Sequence, residues 1–312
     1  MAGLEENLVA SYRYGSESTS DLSIAFLALS GHTDVQLHLG APLSGVEEDI
    51  KRWCRNMKEC GAIQMWRAHA IRLQYVRILL GQSDDLLEFT GDAMDQENHL
   101  EWGLRNGDQV VLCTFYIHRF TLFLSFEEWD GLEKAFAGAF FMLSKASYYF
   151  NVSFVTTEVV MGALALYGQE KQVKYLNIAR RYMKKLRKWY LDNVPDVQPL
   201  WKLVNAEWDS IVKKKDTTSA FDMAIEALHQ CRLVVFETMA YQRVLHLTMA
   251  KRNVSRARHY LTQLIARCRE WGNFAKVEWL EDRYGKALEG IPTVQVEVKT
   301  SVANSSYTYS LP

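Results

Sequence analysis

From Val46 onward the apolar positions recur at the spacing of one helix face rather than alternating. The pattern predicts helices over residues 46–60, 62–80, 95–105, 108–125, 128–144, 146–167, 170–192, 200–214, 218–232, 236–251, 254–271 and 274–288. The breaks between them carry helix-ending or turn residues: Gly61, Gly81, Asn106-Gly107, Gly168, Pro195 with Pro199, and Gly272-Asn273. At Arg252-Asn253 the asparagine is the residue expected to take the left-handed turn conformation. No strand pattern precedes the tail, so the fold class is all-α.

A small residue followed by apolar ones at +3, +4 and +7 lines one helix face, and this arrangement repeats. Ala135, Ala179, Ala220 and Ala257 each start one, and the starts lie about 40 residues apart, the unit length of two-helix repeats. With short connections, consecutive helices are antiparallel neighbours. Residues 46–290 are therefore expected to form an array of antiparallel helix pairs, a tetratricopeptide-like α-solenoid. Its pairs should touch only their neighbours and leave a concave groove. Residues 1–45 form a poorly defined helical segment. Residues 291–312 alternate Val294, Val296 and Val298 and then turn serine-rich, as in a disordered tail or a linker.

Composition narrows the class further. Of 312 residues 48% are hydrophobic, and 36 basic side chains balance 37 acidic ones, which excludes bulk disorder and removes any basic excess for nucleic acid. Five scattered cysteines do not suit a disulfide framework and point to a reducing, cytoplasmic setting. No basic-then-apolar signal order opens the chain. Two long apolar runs, 110–126 and 150–167, carry His118 with Arg119 and Asn151 with Glu158, so both read as buried helices rather than membrane spans. The glycosylation triplets at Asn151 and Asn253 matter only in a secreted chain.

The sharpest enzyme-like string is Asp84-Asp85-Leu86-Leu87-Glu88, because paired carboxylates can hold magnesium against a diphosphate. In size and aromatic content the chain resembles class I terpene synthases. Those enzymes need a second metal motif, which Asn205-Ala206-Glu207-Trp208-Asp209-Ser210 does not supply. The plainer expectation is an acidic loop capping the helix that follows it. Cys54, Cys60 and His69 fit no zinc spacing. His229, His246 and His259 fall on separate helices, and no nucleophile elbow or phosphate loop is present. A dense basic run, Arg180, Arg181, Lys184, Lys185, Arg187 and Lys188, spreads over a wide helical arc beside the apolar Tyr182–Met183–Leu186–Trp189 stripe. It reads as a solvated face or as a partner-docking strip for an acidic or phosphorylated segment. Trp189, Trp201, Trp208, Trp271 and Trp279 are expected to pack between helices rather than form a stacking platform.

The C-terminal third carries a more specific pattern. Phe221-Asp222 with Ala224-Ile225, then Ala257, Tyr260 and Leu261, then Trp271, Gly272, Lys276, Val277, Leu280, Glu281 and Tyr284 stand in fixed order. Upstream are Leu186, Lys188, Trp189, Pro195 and Asn205-Ala206-Glu207, then Gly107-Asp108 and Leu79-Leu80-Gly81-Gln82-Ser83. This set resembles the helical-repeat arm of large multidomain signalling proteins, which join a serine/threonine kinase-like domain, a predicted AAA-type ATPase, the arm, sensor modules and a histidine kinase. The resemblance implies a non-catalytic interaction and regulatory scaffold in signal transduction, linking an ATPase switch to a histidine kinase. Its partners would be protein segments or neighbouring signalling domains, without cofactor, catalytic residue, metal, nucleic acid or membrane. The alternative is a magnesium-dependent all-α lyase using Asp84, Asp85 and Glu88.

Overall fold

The computed structural model describes residues 2–18, 22–145 and 152–288, and the regular elements within them are all helices. The chain is all-α, as its periodicity predicts. The alternating valines of the tail and residues 146–151 lie outside the described residues. In chain order the helices are α1 (Ala2–Ser18), α2 (Leu22–His38), α3 (Leu43–Glu59), α4 (Ile63–Leu79), α5 (Gln96–Asn106), α6 (Gln109–Phe126) and α7 (Trp129–Lys145). They continue as α8 (Val152–Glu170), α9 (Val173–Leu191), α10 (Val197–Ile211), α11 (Thr218–Gln230), α12 (Val234–Ala250), α13 (Val254–Trp271) and α14 (Phe274–Leu288).

Two kinds of helix alternate, and this decides the packing. Helices such as α3, α9 and α13 are apolar on one side only. α9, for example, buries Tyr175, Leu176, Ala179, Tyr182 and Leu186 and turns its charges outward. By contrast α4, α6, α8 and α12 bury residues around most of their circumference. A helix apolar on all sides must be covered on all sides. The even-numbered helices therefore pack in an inner row, α2 on α4, α4 on α6, and so on to α12, while the odd-numbered helices cover them.

The inner row curls until its ends meet. α12 touches α2, and α14 touches α4. Stacked helix pairs remain the building unit, but they reach beyond their neighbours, unlike the open array expected. Among the described residues the inner helices pack on one another along the row. The gaps beside α12 are cavities of about 10 Å³, room for a single water.

α2 also belongs to this core. Phe26, Leu29 and Leu37 join the same apolar cluster as the helices after Val46, so the packed array begins ahead of that position. Some boundaries move for local reasons. α10 starts at Val197 because Pro199 then falls in the first turn, where a missing N–H breaks no helical bond. α8 runs through Gly168 to Glu170, and the reversal comes at Lys171 with φ +59°. Arg252, not Asn253, takes the left-handed conformation, with φ +56°. Asn253 instead caps α13, accepting the Arg256 N–H at 3.2 Å.

Candidate functional site

α9 presents the basic strip as one outward face. Arg180, Arg181, Lys184, Lys185, Arg187 and Lys188 are all exposed. Their helical positions spread them over an arc opposite the buried Tyr182–Leu186 side. None of the six lies within 4.0 Å of a described carboxylate, whereas Lys174 on the same helix pairs with Glu133 at 2.8 Å. Three of the six lie beside aromatic rings. The Arg180 guanidinium lies 5.8 Å from the Trp208 ring centre, and Arg181 and Lys185 lie 5.7 and 5.2 Å from Tyr182. The helix carries seven cations and no acid from Val173 to Leu191.

The Asp84-Asp85 string lies in the long loop between α4 and α5, and Asp84, Asp85 and Glu88 are exposed. Asp85 caps a turn rather than the next helix. Its Oδ1 accepts the N–H groups of Leu87 at 2.7 Å and Glu88 at 3.2 Å. The cap of α5 is Asp95, which accepts from Asn98 N at 2.7 Å. On the stretch that would have to supply a second metal motif, Asp209 is engaged by Lys213 at 2.6 Å and Lys215 at 3.6 Å. Among the described residues no three His, Cys, Asp or Glu side chains gather to hold a metal ion. Cys54 and His69 are buried while Cys60 is exposed, and burial pushes the Cys54 thiol up to about 12.

The inner row holds a ladder of buried polar contacts that sequence reading did not single out. Arg72 on α4 donates to Asp34 on α2 through Nε at 2.8 Å and Nη2 at 3.0 Å. Burial alone would raise the Asp34 carboxyl, but the Arg72 charge and hydrogen bonds hold it below its ordinary value. Thr121 on α6 donates to Glu158 on α8 at 2.9 Å. Arg243 on α12 meets Glu207 on α10 at 3.1 Å, and His246 on α12 meets the Tyr284 hydroxyl on α14 at 2.8 Å. Burial pushes Glu158 up to about 8 and lowers His38, so both are neutral at pH 7. Their 4.0 Å approach is therefore a polar contact and not an ion pair. His118, stacked 4.5 Å from Tyr75, is held down near 3 by burial. The signal in the sequence was Asp34, Arg72 and Glu158 inside apolar runs, since a buried charge needs a partner or loses its charge.

A second polar junction closes the curl. Glu127 caps α6 in the left-handed conformation, φ +59°, and is buried. Its carboxylate accepts from Gln242 Nε2 at 2.7 Å and meets His246 at 3.2 Å and Arg283 at 3.3 Å. Lys276 on α14 is buried, donates to the Ser125 carbonyl and lies 3.7 Å from the Trp279 ring centre. Burial brings its amine down to about 7. Trp271, buried at the end of α13, lines the adjoining cavity with Tyr75, Gln242 and Lys276. The other four tryptophans singled out from the sequence are half-buried and pack against the core.

The histidines do not converge. His229 bonds to Glu237 at 3.0 Å, His246 sits in the junction just described, and His259 meets the Tyr260 ring edge-on. Of the two long apolar runs, α6 is long and apolar enough to cross a membrane by composition, yet 72% of it is buried inside the fold. The second, in α8, surrounds the neutral Glu158 with inner-row neighbours. Comparison with protein-family models, curated proteins and solved structures gives no match.

Proposed function

We propose that the chain is a non-catalytic interaction and regulatory scaffold of the cytoplasm, in which a stack of helix pairs carries a docking face for an acidic protein segment. The observation behind this reading is the α9 strip, six exposed cations without an acid partner among the described residues. Arranging such charges on one face of a rigid helix favours encounter with an opposite charge pattern and orients it. The docking face lies on the outside of the coil, not in an inner groove. The C-terminal motif set supports placing the chain beside the helical arms that link an ATPase switch to a sensor histidine kinase. Docking on α9 would then couple such an arm to a neighbouring domain. The magnesium-lyase alternative has no comparable observation behind it, because Asp85 is committed to backbone amides.

The test is retention of the full chain on an immobilised poly-glutamate peptide at low salt. Substituting Arg181→Glu, Lys185→Glu and Lys188→Glu together should cut retention by about tenfold or more. The urea midpoint should stay in place, since exposed charges contribute little to stability. Retention unchanged by the triple substitution rules out the strip as a docking face.

A further inference from the structure

The molecule carries a second surface of opposite sign. Between Gly81 and Leu104 there is no lysine or arginine, while Asp84, Asp85, Glu88, Asp92, Asp95, Glu97 and Glu101 are all exposed. Of these, only Asp92 and Glu101 lie within 4.0 Å of a described cation, Arg77 at 3.9 Å and Arg105 at 2.6 Å. The remaining carboxylates face water or cap their own backbone. A chain with a formal net charge of −1 has thus separated its charges into an acid face on the α4–α5 loop and α5, and a basic face on α9.

The two faces cannot neutralise each other within one molecule. α5 packs against α6, whereas α9 packs against α8 and α10, and no described ion pair joins them. Resting on the docking reading above, we infer that the acidic partner of α9 is the α4–α5 face of a second copy of this chain. The interface is heterologous, basic face of one copy to acid face of the next, so a joined pair still carries one free face of each sign, at its two ends. Assembly then continues into a chain of copies, or closes as a ring if the rotation allows. Each exposed pair is weak and screened by salt, so the association is reversible and sensitive to ionic strength.

Sedimentation velocity of the full chain tests this. At low salt the sedimentation coefficient should rise with protein concentration, and at about 0.5 M salt the rise should vanish. Two charge-reversed proteins separate the faces. One carries Arg181→Glu, Lys185→Glu and Lys188→Glu. The other carries Asp84→Lys, Glu88→Lys and Glu97→Lys, which spares Asp85 and Asp95 because they cap backbone amides. Each alone should sediment as a monomer, and an equal mixture should associate again, because each reversed face complements its counterpart. Should a reversed protein lose its far-UV dichroism, the corresponding Gln and Asn substitutions replace it, with loss of association as the readout. A wild type that is monomeric at low salt, self-association that survives both reversals, or a mixture that stays monomeric overturns the inference. If such a monomer still binds poly-glutamate through α9, the partner is a different acidic protein and the docking reading stands. If it does not, both fall.

Discussion

Glu158 is neutral in the folded protein because α6 and α8 exclude water from it and Thr121 is its only described hydrogen-bond donor. In the unfolded chain it titrates at an ordinary glutamate value. Between about pH 4.5 and 8 the folded state therefore holds a proton that the unfolded state has released. Stability from this group is full below that window and is lost as pH rises through it. Glu158→Gln keeps the shape and the hydrogen-bonding capacity but removes the titration. Relative to wild type, the variant should gain stability steadily from pH 5 to pH 8, measured as paired urea midpoints. A constant difference across that range would show that the carboxyl is solvated in the fold. Lys276 works in the opposite sense. Its folded value near 7 lies below that of a free lysine, so the unfolded state binds the extra proton above pH 7 and stability rises there.

At the scale of elements, the ends of helices explain more than their middles. Glu127, Lys171, Asn193, Lys214, Arg232 and Arg252 all take the left-handed conformation without being glycine. Apart from Asn193, whose type tolerates it, such residues are disfavoured there by roughly 1–2 kcal/mol, so the packing of the flanking helices must impose the turns. At Glu127 the compensation is visible, since three residues of α12 and α14 converge on its carboxylate. Trp271 ends α13, is buried, and lines a small cavity together with residues of α4, α12 and α14. Trp271→Ala should destabilise the fold by about 3–5 kcal/mol, read from the urea midpoint with the slope unchanged. An unmoved midpoint would mean that the ring is not part of the core.

For the whole molecule the decisive contacts are those that close the inner row. α12 meets α2 through Phe236 against His38, whose ring centres are 5.8 Å apart. α12 and α14 meet the end of α6 through Glu127, Lys276 and the Phe126–Trp279 edge contact at 6.1 Å. A coil closed in this way resists the spring-like flexing of an open solenoid, because any stretch must first break the seam. Removing Glu127 should loosen the seam before it unfolds the pairs. In Glu127→Ala, amide hydrogen exchange should accelerate in α12 to α14 and stay near wild type in α9. Equal acceleration everywhere would indicate general destabilisation rather than a seam.

Much of this was legible along the chain. Helical class, most helix positions, the pair repeat and the α9 strip follow from local rules: period, turn residues and a charged face beside an apolar stripe. Those properties depend on neighbours a few residues apart, which the order of amino acids specifies directly. The closure of the row, the Asp34–Arg72 and Thr121–Glu158 contacts, and the neutrality of Glu158 join residues 37 or 38 positions apart or more. The left-handed turns at Arg232 and Arg252 belong with them, because packing overrides the glycine and asparagine preference there. Local pattern could mark a charge in an apolar run as needing a partner. Only the packing of each inner helix on the next decided which helix supplied it, and that packing left the outer face of α9 as the surface on offer.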